Sequence, residues 1–240
     1  ADIDVTKIDM AFKSAKGVLP VCKDGFGIEF SEEIQKYIYE MDEKFKTESF
    51  DDVFVMDGLL NKNTTKINDE LRVGRNLTNL TRTYMKFELP TNIPTGSYVN
   101  GAILELTQDN YYQAPLANDV SIRAYDLYNV NSWSPNNVTW NNQPISNSNN
   151  GYNNTNAVLL SYVTAESNRS TYQFAITEAA RRWLNGGVNN GIMLASSDES
   201  SKTQVDLCSS RASDSSKYPT MFINYREPGL SISTWETDSQ

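Results

Sequence analysis

From Asp52 onward the chain alternates apolar and polar residues with a period of two. Val53 and Val55, Leu71 and Val73, and the runs 84–89, 102–106 and 120–125 each set one apolar face against one polar face. That spacing predicts strands, because successive side chains of an extended chain point to opposite sides. Later runs at 158–163, 173–174, 192–194, 204–207 and 221–223 bring the tally to about ten short strands, at the spacing of a sandwich or barrel. Clusters at 61–65, 90–96 and Asp109-Asn110 read as turns between them, and the Asn-rich stretch 147–154 reads as a polar loop. The expected fold is all-β: a two-sheet antiparallel, jelly-roll-like β-sandwich over 51–226 with one main core.

One helix interrupts this pattern near 177–185. Thr177 is placed to cap its start, Glu178 stands in the first turn, and Gly186-Gly187 supplies a left-handed stop. Ile176, Ala180, Trp183 and Leu184 share a face, which leaves Arg181 and Arg182 toward solvent and makes Trp183 a plug for one open edge of the sandwich.

Residues 1–50 have a different rhythm. An alternating stretch at 5–12 is broken by Gly17, Pro20, Gly25 and Gly27. After Ser31, Glu32 and Glu33, the residues Ile34, Tyr37, Ile38, Met41 and Phe45 fall at helical spacing, so an amphipathic helix is expected. This segment reads as a small α/β appendage, its apolar face packed on the sandwich, on the strands before it or on a neighbouring domain. At the other end, 227–240 is polar and reads as a linker. The first residues carry neither a basic nor an apolar targeting stretch, which reads as a signal peptide absent or already removed.

Two of the four tryptophans lie in 132–144, SWSPNNVTWNNQP. Its two tryptophans either drop into a core from a tight turn or form an exposed platform for sugar rings. Burial is favoured because Val138-Thr139-Trp140 is a short β-branched segment. The stretch resembles the W-S-x-x-x-V-T-W-x-x-x-P block of the DNRLRE domain, a bacterial β-sandwich module of secreted and wall-associated proteins, including those with RHS/YD repeats. Further blocks are similar and in order: Leu71-Arg72-Val73-Gly74, 82–89, 174–177, a helix ending Trp183-Leu184-Asn185-Gly186, 190–194 and 218–225. Ala175 stands where that family usually has Asp, and the D-N-R-L-R-E string itself is absent. The resemblance implies a module of a larger secreted or cell-wall-associated protein, whose partners are a polysaccharide or cell-surface glycan and other domains of the parent chain.

Composition narrows the chemistry. A formal net charge of −9 over 240 residues and a pI near 4.6 oppose nucleic-acid binding, which needs a basic footprint. An anionic membrane surface is opposed in the same way, and no run is apolar enough to span a bilayer, so no membrane insertion is expected. With no histidine anywhere, Ser-His-Asp and Cys-His arrangements and His-ligated zinc are excluded. Asp and Glu remain, but no pair stands out as a glycosidase couple. Asp198-Glu199 with Asp206 lacks the calcium-loop pattern and reads as a hairpin tip followed by a strand. No phosphate-binding glycine loop appears. Cys22 and Cys208 read as two thiols in preference to one disulfide, and the N-x-S/T strings as a consequence of Asn-rich composition. No catalytic residue, metal ligand or cofactor is therefore assigned.

The nearest approach to a ligand signal is Tyr111-Tyr112, at an expected hairpin tip. The pair is placed to stack on sugar rings while Arg72, Arg82 or Arg211 meets a sugar carboxylate. The competing reading makes Arg72 and Arg82 structural and sends the adjacent tyrosines to opposite faces. Three functions follow in order: a non-catalytic structural or adhesive module, a carbohydrate-binding module recognising an acidic polysaccharide, and a carboxylate-based polysaccharide-degrading enzyme.

Overall fold

Two strands are too long to belong to one sheet. The computed structural model describes residues 43–145 and 156–227, and within them β1 (Glu43–Met56) and β4 (Tyr98–Gln113) each run through both layers. β1 pairs first with β10 (Thr220–Arg226), then shifts register between Ser49 and Asp51 and continues along β3 (Leu80–Phe87). β4 pairs with β10 and with β7 (Thr171–Ala175), then shifts between Gln108 and Asn110 and continues along β9 (Thr203–Cys208). A bulge adds a residue on one strand only, so the strand bends and can leave one layer for the other.

The first sheet runs β1-β10-β4-β7. The second joins β4, β9, β2 (Glu70–Arg75), β3, β8 (Ile192–Ser196), β5 (Ser121–Leu127) and β6 (Ala157–Thr164). Every pairing is antiparallel, as the period-two pattern predicts for an all-β sandwich. Each apolar run predicted to be a strand from Val53 onward lies on one, while the alternating stretch at 5–12 lies outside the described residues. Asp109-Asn110, expected as a turn, is instead the bulge region of β4. The 197–202 segment is no hairpin tip either: β3 and β2 lie between β8 and β9 in the sheet, so it crosses over them.

The main core lies between the layers and is filled by Leu104, Leu106, Tyr172, Phe174, Met85 and Leu194, all fully buried. A second core, absent from the single-core expectation, gathers Val53, Val55, Tyr84, Tyr125 and Met193 beneath Trp133, Val138 and Ile145. The turn-rich stretch folds over this cluster through its own hydrogen bonds. Ser134 O accepts from the amides of Asn137 and Val138, and Asn142 Oδ1 from the amide of Thr139. Trp133 enters the core, donates Nε1–H to Asn190 O at 2.8 Å and meets the Tyr84 ring edge-on at 5.7 Å. Trp140 stays half-buried at the margin, against the expectation of full burial.

Arg82 explains that margin. Its side chain is fully buried, with Nε and Nη2 donating to the two carboxylate oxygens of Glu199 at 2.7 and 2.9 Å. Nη1 donates to Gln143 Oε1 and Ile145 O, and the guanidinium lies 4.9 Å from the centre of the Trp140 ring. Gln143 Oε1 also accepts from the Tyr84 hydroxyl at 2.9 Å. One cation thus joins β3, the 197–202 crossing and the aromatic loop.

The helix α1 (Thr177–Leu184) closes the sandwich with Ala179, Ala180 and Trp183 buried. Its end is as predicted: Gly186, at φ 86°, donates to Trp183 O, and Gly187 donates to Arg182 O. Its start is not. Thr177 makes no cap; its Oγ1 accepts from the Ala102 amide and ties the helix to β4. Arg182, expected in solvent, grips the buried Asp126 through two hydrogen bonds of 2.9 and 2.7 Å. Arg181 donates to Val99 O and lies over the Tyr98 ring.

Phe45, expected on the N-terminal helix, lies in β1, and the first strand among the described residues begins at Glu43, ahead of the expected boundary at 51. The rest of the appendage, Cys22, the Asn-rich loop and the tail from 228 lie outside the described residues. Cys208 is buried and unbonded to another cysteine; burial pushes its thiol up. Gly74 sits at φ 102°, where a Cβ would meet Thr203 O at 2.2 Å, so only glycine fits where β2 passes β9.

Two outcomes follow. Glu199→Ala leaves a buried guanidinium without its carboxylate and should cost about 3–5 kcal/mol in urea unfolding, a loss that persists at high salt because the pair is shielded from ions; a change confined to low salt would contradict this. Trp133→Ala and Trp183→Ala should each cost about 3–5 kcal/mol, and Trp140→Ala measurably less, read by the same unfolding midpoints.

Candidate functional site

Two strands carry an apolar residue out of step with their alternation. In β10, Met221 and Ile223 point into the core, so Phe222 between them points out; in β4, Ala102 and Leu104 do the same to Ile103. Phe222 is 39% and Ile103 42% exposed. Register aligns Lys46, Phe222 and Ile103 in a row across β1, β10 and β4. Thr220, Phe222, Asn224 and Arg226 form the matching column, since they alternate with buried neighbours.

A second register shift, between Asn224 and Tyr225, leaves Asn100 as an extra residue on β4 beside Gly101. A Cβ at Gly101 would meet nothing within 4 Å, so the missing side chain opens the floor. The result is a groove of ≈ 660 Å³ on the outer face of the first sheet, lined by Phe45, Lys46, Asn100, Ile103, Phe222, Asn224 and Arg226. Asn224 Oδ1 is buried there without a hydrogen-bond partner. The charged residues lining the groove are both cations, although the chain is strongly acidic. The acids nearest in register lie one row away: Glu48, 3.8 Å from Lys46, and Glu105, which accepts from Gln173 at 2.7 Å.

A second depression, of ≈ 530 Å³, holds Asp198 and Glu199 beside Arg75, Leu77 and Lys202. Both carboxylates are occupied. Glu199 clasps Arg82, and Asp198 accepts from the Ser200 hydroxyl and amide and the Ser201 amide, contacts that hold its carboxyl below the usual range. The two facing carboxylates that glycoside hydrolysis requires are not presented here. Among the described residues no group of acids, cysteines or histidines is placed to hold a metal ion, and no helix is long and apolar enough to cross a membrane.

The sequence-predicted site residues are dispersed. Tyr111 and Tyr112 are not at a hairpin tip but paired with Val205 and Gln204 in β4. As neighbours on a strand they point to opposite faces: Tyr111 packs on the main core, its hydroxyl on Gln113, while Tyr112 shares a face with Asn110. Arg82 is walled in with Glu199. Arg211 is held by Asp52, a fully buried carboxylate that also accepts from the Ser210 amide; burial pushes Asp52 up against the opposing pull of those partners. Arg72 contacts Glu70 and lies 3.9 Å from Asp206. Only Arg72 and Tyr112 come onto one strip, linked through β9.

The groove residues went unread in the sequence although a signal was present. Ala102-Ile103-Leu104 and Met221-Phe222-Ile223 look like ordinary core strands, yet three consecutive apolar residues in an alternating strand must put the middle one outside. That both outliers pair with each other is a matter of register.

A search of curated proteins finds no match. The model of carbohydrate-binding module family 96 matches residues 43–225, about three-quarters of the sequence, from the first residue of β1 almost to the last of β10. The chain therefore belongs to carbohydrate-binding module family 96.

Proposed function

We propose that this chain is a non-catalytic glycan-binding module that holds an acidic polysaccharide in the groove of the first sheet. The observation that carries the proposal is the row Lys46, Phe222, Ile103: an exposed aromatic and an aliphatic side chain side by side, flanked by cations. A pyranose ring presents an apolar C–H face and a rim of hydroxyls, which suits Phe222 beneath and the amides of Asn100 and Asn224 at the sides. Lys46 and Arg226 supply the complement to a sugar carboxylate. Family membership supports binding over scaffolding as the leading role, which reverses the order reached from sequence. The absence of Asp and Glu from the groove lining supports binding without hydrolysis.

We further infer that the module acts within a larger secreted or cell-wall-associated bacterial protein, with the fold acting as a rigid carrier for the groove. What supports this is the ordered similarity of its sequence blocks to the DNRLRE domain, RHS/YD-repeat proteins among its carriers; the adhesive role becomes attachment to a glycan.

Affinity electrophoresis and calorimetry against a panel of acidic and neutral polysaccharides test the proposal. Phe222→Ala should weaken binding of the preferred acidic glycan roughly tenfold, about 1.4 kcal/mol. Lys46→Glu should weaken it further at low salt than at high salt. Gly101→Leu should leave the melting temperature near that of the wild type, because its side chain enters open space, yet block the groove. Unchanged binding in all three variants would place the glycan elsewhere, and hydrolysis of the polysaccharide lost on replacing one Asp or Glu would make the protein an enzyme.

A further inference from the structure

The outer face of the first sheet carries different charges toward its two ends. Phe222 stands in register with Lys46 and Ile103, and in the row on one side of it Glu48 and Glu105 flank Thr220. In the other direction along β10 stands Arg226, and register sets Tyr98 of β4 beside it. Tyr98 belongs to the same outer face, because Val99 next to it is buried in the main core. At the rise of a strand, that row lies about 13 Å from Phe222.

Tyr98 is held without being covered. Arg181 of α1 donates from Nε to Val99 O at 2.9 Å and from Nη1 to Glu178 Oε1 at 2.8 Å, and these two bonds fix its guanidinium. Nη2 donates to the Tyr98 hydroxyl at 3.1 Å, and the guanidinium carbon lies 5.0 Å from the centre of the ring. One side chain thus anchors the hydroxyl and braces the ring, while Tyr98 remains 56% exposed. An aromatic that stacks on a ligand normally loses rotamer freedom on binding, and a ring already braced avoids that loss. Its apolar face and anchored polar tip suit the C–H face of a sugar.

We propose that Tyr98 is a second sugar subsite, so that the groove takes an internal run of an acidic polysaccharide with its chain laid along the strands from Phe222 to Tyr98. This rests on the glycan reading of the groove and adds to it a direction and a minimum length. Charge sets the direction. Toward Thr220 a uronate meets the carboxylates of Glu48 and Glu105, whereas toward Tyr98 it meets the guanidinium groups of Arg226 and Arg181. Spacing sets the length: about 13 Å exceeds one pyranose ring, so a single sugar reaches one aromatic and only a chain of several reaches both. Between the two aromatics the bare Gly101 keeps the path open, since a Cβ there would meet nothing within 4 Å. Joining two contacts through one chain makes the second intramolecular, which raises affinity steeply once the chain spans both.

Calorimetric titrations of the full chain with disaccharides and hexasaccharides of galacturonate and of mannuronate test the proposal. In the series that binds, the hexasaccharide should bind about tenfold tighter than the disaccharide. Tyr98→Ala should remove that gain and bring the two lengths to within about threefold of each other, whereas Tyr98→Phe, which keeps the ring, should retain most of it. In NMR the hexasaccharide should shift the ring resonances of Tyr98 and Phe222 together. A hexasaccharide no tighter than the disaccharide, or a gain that survives Tyr98→Ala, would overturn the second subsite; the groove still stands in that case if Phe222→Ala weakens both lengths. Binding indifferent to Phe222→Ala at either length, or no binding by the wild type, would overturn the groove and this extension with it.

Discussion

A guanidinium with no access to water must be surrounded by acceptors, and Arg82 imposes that condition on three parts of the chain at once. Glu199 has to come from the crossing between β8 and β9, and Gln143 and Ile145 from the end of the aromatic loop. The loop that meets this demand also lays Trp133, Val138 and Ile145 over Tyr84 and Met193, so that a second core forms where a sandwich face would otherwise be wet. Ionic pairing at such a depth gives little net stability against an apolar substitute. What it supplies is position: Glu199 and Gln143 satisfy the same side chain only in one arrangement of the two loops.

The consequence for function is one of allocation. With the aromatic loop covering part of the second sheet and α1 closing the end of the sandwich, the outer face of the first sheet is left with Phe222 and Ile103 in solvent. Its bulge at Asn100 and the bare Gly101 turn a flat face into a groove. Both long strands contribute, because the residues of β1 and β4 that line the groove come before the bulges that carry those strands into the other layer. The bends that build the sandwich and the groove proposed to hold a glycan therefore share the same strands.

Electrostatics divides the molecule in the same economical way. Most arginines are spent internally: Arg82 on Glu199, Arg182 on Asp126, Arg211 on Asp52. In the groove, Lys46 and Arg226 set positive charge among apolar side chains, a small cationic patch on an acidic chain, with Glu48 3.8 Å from Lys46. Under the proposed function, this local patch lets a chain of net negative charge hold an acidic polymer.

Periodicity alone determined the strands, the antiparallel all-β class, the position of the helix and its glycine stop, because those depend on the residue and its near neighbours. The turn residues of 132–144 marked that stretch as one that drops indoles into a core, which holds for Trp133 but not fully for Trp140. Pairing decided the rest. Asp109-Asn110 has the composition of a turn, yet inside a strand held by β9 it became a bulge, which moved Tyr111 and Tyr112 from a tip into a sheet. The arginines offered as ligand clamps found carboxylates more than a hundred residues away in the case of Arg82 and Arg211, contacts that no local pattern encodes. Phe222 and Ile103 became a surface only when register set them side by side. Strand identity is written in the alternation of single residues, whereas a site on a sheet is written across strands, and the register that aligns it is fixed by packing of the whole core.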